Sequence, residues 1–457
     1  MWTVSCRLAC IALAASAASV VPARAWSQER PPPPSPPASP PAQRVMTLAE
    51  VERLALEQQP QMLVARAATS IAQAQADQAR APLLPQVTGS AAYTRETGNY
   101  APRPGAIPTT TAGFGGSLFS TSYDYWQFGL SATQLIYDFG QTSQKLRSAD
   151  YTVDAQRASE QVARLGVVLN VRKAYFNARA MKELVDVAKE TLDDQNKHLV
   201  QVQGMVTVGT QPQIALAQQK AAVANALVQL ITAQNNYETA KAQLNQAAGM
   251  VGGTDYDVGD ETMQTLDDED QPLETLARKG LAARPEMIML ARQRDAQDAT
   301  LSSARGTYGP SIVAGAGVTD YGVQLDQLVP NWNAGLAVTW PIFQGGLTQG
   351  LVHQAEAGVE SVDAQRSLEE LQVRLDVDSA RLAVRAAKAT IGAVDDALTS
   401  AREQLRLAEQ RYATGVGNII ELNDAQVAYT TAAAQVVQAR YSLSTARAQL
   451  LAAMGRT

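Results

Sequence analysis

Through both halves of the chain, small and apolar side chains recur three and four positions apart over long stretches. One series runs Ala178, Met181, Val185, Ala188, Leu192, Gln195, Leu199, Val202, Val206. A second runs Val384, Ala387, Ile391, Val394, Leu398, Ala401, Leu405, Ala408, Tyr412, and a third runs from Leu422 to Ala453. This spacing predicts coiled-coil helices sustained over several heptads. The alternation of Ala with larger residues lets such helices approach closely. A helix over 141–206 is about 100 Å long at about 1.5 Å per residue. A helix of that length needs neighbours to bury its stripe.

Ahead of each long helix the period changes from 3.6 to 2. Trp126, Phe128, Leu130 and Ala132 alternate with Gln127, Gly129 and Ser131. Trp332, Ala334, Leu336, Val338 and Trp340 alternate with Asn333, Gly335, Ala337 and Thr339. Val87, Gly89, Ala91 and Tyr93 share one face, as do Ile312, Ala314, Ala316 and Val318. Strands are expected over about 86–94, 125–137, 311–319 and 332–342. One apolar face and one small or polar face fit a membrane barrel strand of about ten residues. Tyr93, Trp126, Trp332 and Trp340 fit interfacial anchors. A soluble two-sided sheet fits the same alternation. Four strands cannot close a barrel in lipid, so the membrane reading demands several protomers.

The chain also repeats itself. Pro60 aligns with Pro285, Pro85 with Pro310 and Val87 with Ile312 at an offset of 225. The offset becomes 206 from Gly129 and Gly335 onward, pairing Gly140 with Gly346, Gly209 with Gly415, and Ala242–Leu244 with Ala448–Leu450. The change falls between the strands, so the first half carries the longer loop, 95–124 against 320–331. The expected organisation is a first repeat over 47–249 with a helical hairpin at 141–248. A linker over 250–270 follows, then a second repeat over 271–457 with a hairpin at 346–455.

Composition adds a destination. Residues 1–25 read as a secretory signal, with Arg7, an apolar core from Leu8 to Val21, and Ala23-Arg24-Ala25 as the cleavage site. Both cysteines, Cys6 and Cys10, lie inside it, which removes disulfide and thiol chemistry from the mature chain. A lipidated Cys10 is the alternative, although the apolar core follows that cysteine. Residues 26–46, with the proline run Pro31–Pro41, read as a disordered tether. No later apolar run is expected to span a membrane as a helix. The net charge of -6, without a basic stripe, argues against nucleic acid.

The segment from Tyr412 to Ala425, YATGVGNIIELNDA, is similar to the helix-turn-helix tip of the TolC-like outer-membrane factors. Val208-Gly209-Thr210 resembles the first-repeat turn of that family, and the junctions Leu135–Gly140 and Trp340–Gly346 fit its pattern. The resemblance covers about 47–455. It implies a mainly α fold with membrane β: a long antiparallel coiled-coil α-barrel continuous with a twelve-stranded trimeric β-barrel, four strands per protomer. It implies an equatorial belt from 47–58, 250–284 and the C-terminus. Its implied partners are two further copies, outer-membrane lipid, a periplasmic adaptor and an inner-membrane pump.

By the same resemblance, Glu421 and Asp424 fall at the pore constriction, where three copies bring six carboxylates together. The plain alternative is two solvated acids in a helix's first turn, favoured there by the dipole. Tyr412 matches a gate-network tyrosine and is equally placed to be the last core residue of its stripe. Gly209, Thr210, Gly415 and Gly417 mark tip turns for adaptor docking; for Gly209 and Gly415 simple helix C-capping is an alternative that can hold alongside it. The family carries a basic residue where this chain has Gly417, and Ala215 replaces an expected carboxylate, so a differently latched gate is expected. His198 and His353 look isolated on polar helix faces and suggest no metal site. Asp267-Asp268-Glu269-Asp270 could hold calcium but reads first as a solvated linker. Gly113-Phe114-Gly115-Gly116 lacks the Lys-Ser/Thr of a phosphate loop. No cofactor and no catalytic constellation is expected.

The leading function is the exit duct of a tripartite efflux pump for small molecules. The outer-membrane part of a type I protein-secretion system is the runner-up. A coiled-coil structural stalk is the alternative of another class.

Overall fold

The computed structural model describes residues 44–97 and 122–457. The expected signal, most of the proline-rich segment, the Gly113–Gly116 stretch and most of the first inter-strand loop lie outside the described residues.

Two helical hairpins dominate. The first is α3 (Gln141–Thr207) with α4 (Gln213–Ala248), and the second is α7 (Leu347–Ala413) with α8 (Ile419–Ala453). α3 and α7 are each 67 residues, or about 100 Å at about 1.5 Å per residue. The stripes read from the sequence supply the packing. Val185, Ala188 and Val202 of α3, Val384, Leu405 and Tyr412 of α7, and Leu422, Val436 and Leu450 of α8 are all buried. α3 packs on both α4 and α8, which joins the hairpins.

Shorter helices brace the half nearer the strands. α1 (Leu48–Gln58) and α2 (Pro60–Arg80) pack on α3, and α2 opens on Pro60. α5 (Leu273–Ala283) packs on α7, and α6 (Pro285–Gly306) packs on α3 and α7, opening on Pro285. Proline suits a first helical position because that N–H has no helical partner anyway. The aligned prolines of the two repeats thus start equivalent helices.

The end of the expected tether and the expected linker each carry a short strand that the sequence did not suggest. Residues 44–46 form β1 (Arg44–Met46), which pairs in parallel with β4 (Tyr256–Val258) inside the linker region. Met46, Tyr256 and Val258 enter a core with Tyr175 and Phe176 of α3, and the Tyr175 hydroxyl donates to the Met46 and Gly259 carbonyls.

The strands β2 (Gln86–Thr97), β3 (Ser122–Tyr137), β5 (Ser311–Gly322) and β6 (Val329–Thr339) form one antiparallel sheet in the order β2-β3-β5-β6. They run further toward the connecting loops than the alternation alone implied, because backbone pairing continues past the apolar band to Thr97↔Ser122 and Tyr321↔Val329. β6 correspondingly ends at Thr339, ahead of the expected 342. The register puts all four apolar sets on one face. Gly89 faces Leu130, Leu130 faces Val318, and Val318 faces Trp332. Thr88, Ser131, Gly317 and Asn333 form an equivalent row on the other face. A bulge between Leu135 and Tyr137 shifts the register just before α3. The apolar face is open in the protomer: Trp332 is 77% exposed and Leu336 73%.

Both strand-to-helix corners use the same device. Phe139 and Gly140 adopt φ of 53° and 85°, and Gly345 and Gly346 adopt 61° and 87°. Glycine tolerates this left-handed region freely. At Phe139 the ring lies where any side chain on Gly309 would sit, so glycine at 309 makes the first corner possible.

One expectation about apolarity needs correction. α4 contains a stretch that is apolar enough for a membrane span by length and composition, and little of it is buried in the protomer. Its open face, with Leu227, Val228 and Ile231, lies on a helix already paired with α3. Length and composition alone therefore do not separate this helix from a membrane span.

Candidate functional site

The hairpin ends come together at a single apolar knot. Val202 of α3, Ala215 of α4, Leu405, Ala408 and Tyr412 of α7, and Ile419, Leu422 and Ala425 of α8 are buried there. Each hairpin turns through the same cap. Gly209 and Gly415 adopt φ of 80° and 76°. The Gly209 N–H donates to the Val206 carbonyl and the Thr210 N–H to that of Met205; Gly415 and Val416 donate likewise to Tyr412 and Arg411. This is the Schellman arrangement, which satisfies the last helical carbonyls. The Thr210 hydroxyl adds a second bond to the Met205 carbonyl at 2.9 Å. The capping alternative for both glycines therefore holds.

Gly417 has a different reason. A Cβ there would meet the Tyr412 nitrogen at 3.0 Å and the Arg411 Cβ at 3.1 Å. The chain leaving the turn passes so close to α7 that a side chain there would force its neighbours to shift.

The two carboxylates sit in unlike settings. Asn418 caps α8, its side chain accepting from the Glu421 N–H at 2.8 Å. The Glu421 carboxylate then reaches back across the turn to Arg411, with Nε–Oε1 at 3.0 Å. Asp424, exposed one turn further along α8, takes no part in an ion pair among the described residues. Tyr412 is fully buried, and its hydroxyl has no hydrogen-bond partner among the described residues. Burial alone raises the pKa of that phenol. Within the protomer, Tyr412 is thus the last core residue of its stripe.

Above the knot the interface turns polar. The Thr191 and Thr430 hydroxyls lie 3.0 Å apart, and the Gln219 amide donates to the Gln195 side chain at 2.7 Å. His198 does not lie on a polar face, as the sequence suggested. It is buried between the hairpins, with Nε2 at 3.7 Å from a Glu409 oxygen. Its heptad position, between Gln195 and Val202, was the available signal. Burial lowers its pKa, and the attraction of Glu409 only partly offsets this. His353 is exposed.

The acidic run 267–270 is only partly the solvated linker expected: Asp267 and Asp270 are exposed, Asp268 is half-buried and Glu269 is buried. Glu269 is 1% exposed and bonds Arg447 of α8 at 2.8 Å and Lys388 of α7 at 2.6 Å. Asp268 binds Lys279 and Arg456. Burial pushes the Glu269 carboxyl up, but the Arg447 and Lys388 bonds prevail and hold it below the usual range. These pairs fasten the linker to the second hairpin. Sequence reading missed the Glu269 pairs because Lys388 and Arg447 lie more than a hundred residues away.

Of the aromatic residues expected at the membrane interfaces, Tyr93 and Trp126 are cross-strand neighbours with rings 4.6 Å apart. Trp332 stands open on the apolar face. Trp340 lies at the helix end of the sheet and donates through Nε1 to the Tyr308 carbonyl at 3.0 Å. Around it Tyr137, Phe139, Tyr308, Ile342 and Phe343 are also exposed. Sequence reading places four of these residues at the strand-to-helix junctions, but not Tyr308, and does not bring them together as one exposed cluster.

A sheet with one open apolar face, continued by two 67-residue helices, matches a known protein family. The model of the outer membrane efflux protein family covers residues 51–250 and 276–456. The chain belongs to this family. Outer membrane protein TolC of Escherichia coli is 26% identical over 400 residues, spanning 83% of this chain and 76% of that protein. The toluene efflux pump outer membrane protein TtgF of Pseudomonas putida is 25% identical over 395 residues, 82% and 76% of the two chains. The crystal structure of the Campylobacter jejuni CmeC outer membrane channel superposes with a TM-score of 0.75 at 21% identity, covering 89% of this chain and 85% of that one. This member of the outer membrane efflux family is accordingly an outer-membrane channel with a periplasmic helical part.

Proposed function

We propose that three copies of this chain form the exit duct of a tripartite pump that carries small molecules through periplasm and outer membrane. The observation that carries this reading is the four-stranded sheet. Among the described residues its outer strands β2 and β6 each pair on one side only, and its apolar face is open. Lipid tolerates neither an open edge nor a partial barrel. Three sheets joined edge to edge give twelve strands, with the polar rows of Ser131 and Asn333 turned inward. A stalk without a lumen has no use for such a sheet.

In this reading the hairpin tips are the periplasmic entrance. Glu421 and Asp424 line its constriction, Tyr412 supports the gate from within, and the turns at Gly209, Thr210, Gly415 and Gly417 meet a periplasmic adaptor joined to an inner-membrane pump. Tyr93, Trp126, Trp332 and Trp340 mark the lipid interfaces. Transport is passive, and the side chains act as a charged iris.

Purified protein reconstituted in a planar bilayer is expected to give stable, cation-preferring channels. Folded trimer that never conducts would refute the duct.

A further inference from the structure

The entrance carries a charge that the carboxylate count alone misjudges. Glu421 is held by Arg411, whose guanidinium lies at 3.0 Å on the last turn of α7. Both side chains are about half exposed, so the pair acts by placing a guanidinium charge beside the carboxylate more than by rigid binding. Gly417 contributes to the arrangement: its missing side chain leaves space directly against the Arg411 Cβ. The second tip therefore presents two carboxylates and one guanidinium within a few residues of the turn, with Asp424 alone unopposed.

We propose that Arg411 is a selectivity-determining residue of the entrance, neutralising Glu421 so that Asp424 sets the field felt by passing ions. The inference rests on the reading that Glu421 and Asp424 line the constriction. Each protomer then contributes one net negative charge at this level instead of two. The same pair spans the turn from α7 to α8, so it also clasps the second tip. The first tip has no equivalent: at the repeat offset, Met205 and Ala215 stand where Arg411 and Glu421 do.

The test is the reversal potential of single channels in a potassium chloride gradient. It would compare the wild type with Arg411→Gln, Glu421→Gln, the double variant and Asp424→Asn. All these side chains are exposed or half exposed, and trimer recovery on a sizing column controls for folding. Charge counting fixes the order. Arg411→Gln raises the cation-to-anion permeability ratio by about two- to fourfold, as the local field of the pore doubles. Glu421→Gln lowers it by releasing the guanidinium, and the double variant returns to the wild-type value. Asp424→Asn lowers it as far as Glu421→Gln does. A ratio that responds to Asp424→Asn but not to Arg411→Gln overturns the role of Arg411 and leaves the constriction in place. A ratio indifferent to all four variants removes these residues from the constriction altogether.

Discussion

At the scale of single residues, Tyr412 separates two roles that share one position. Its ring is sealed in the tip knot while its hydroxyl finds no partner in the protomer. Tyr412→Ala is expected to cost about 3–5 kcal/mol, the usual loss for a buried aromatic side chain. Tyr412→Phe should cost less than about 1 kcal/mol, because an unpaired hydroxyl is removed. Hydrogen exchange of the tip amides in the assembled protein measures both. A large loss in the phenylalanine variant would mean that assembly supplies the hydroxyl with a partner. His198 gives a pH signature at the same interface. Its pKa lies below the ordinary value in the packed state, so its contribution is complete above about pH 6.5 and is lost as pH falls through the depressed value. Tip protection should therefore weaken on mild acidification, and His198→Gln should flatten that response.

At the scale of elements, the linker is held by charge where the hairpins are held by apolar stripes. Glu269→Gln leaves Arg447 and Lys388 without their buried partner, which typically costs about 3 kcal/mol or more. Protease susceptibility of the 250–272 segment should rise accordingly. The Glu269 and Asp268 carboxyls both lie below their usual range. Their stabilisation is whole above about pH 4.3 and disappears as pH falls through their folded values, well below the window of His198. The hairpins themselves were legible in advance. Their stripes run in register at the repeat offset, and the expected bounds 141–248 and 346–455 lie close to the observed helices. The linker was not legible, since a run of four acids looks solvated until Arg447 and Lys388 are folded against it. The clasp at Arg411 stood in plain view ten residues from Glu421, but a helix turn must be built before the two can face each other.

At the scale of the whole molecule, the sheet requires partners and also fixes which side meets lipid. Leu336 and Asn333 lie three residues apart on opposite faces of β6. Leu336→Arg places a charge in hydrocarbon, at a cost of about 2–4 kcal/mol near the midplane, whereas Asn333→Arg faces water. Recovery of heat-modifiable trimer from outer membranes should drop sharply for the first variant and little for the second. Equal behaviour would mean that the faces are assigned wrongly. The alternation made this face readable from sequence, but the choice between a barrel and a soluble sheet was not, because both alternate alike. It took the common register of four strands to show a single uninterrupted apolar surface.

The character of α4 bears on how the protein reaches its membrane at all. An outer-membrane protein is first threaded across the inner membrane, and the secretion machinery there diverts sufficiently apolar helices sideways into the bilayer. Between Lys220 and Glu238 this helix carries no charge, and by length and composition it is apolar enough to cross a membrane. Asn225, Gln229, Gln234, Asn235 and Asn236 punctuate that interval, and alanine stands at 221, 222, 224, 226 and 233. The helix that builds the duct must also pass as cargo, and its amides and alanines let one sequence satisfy both demands.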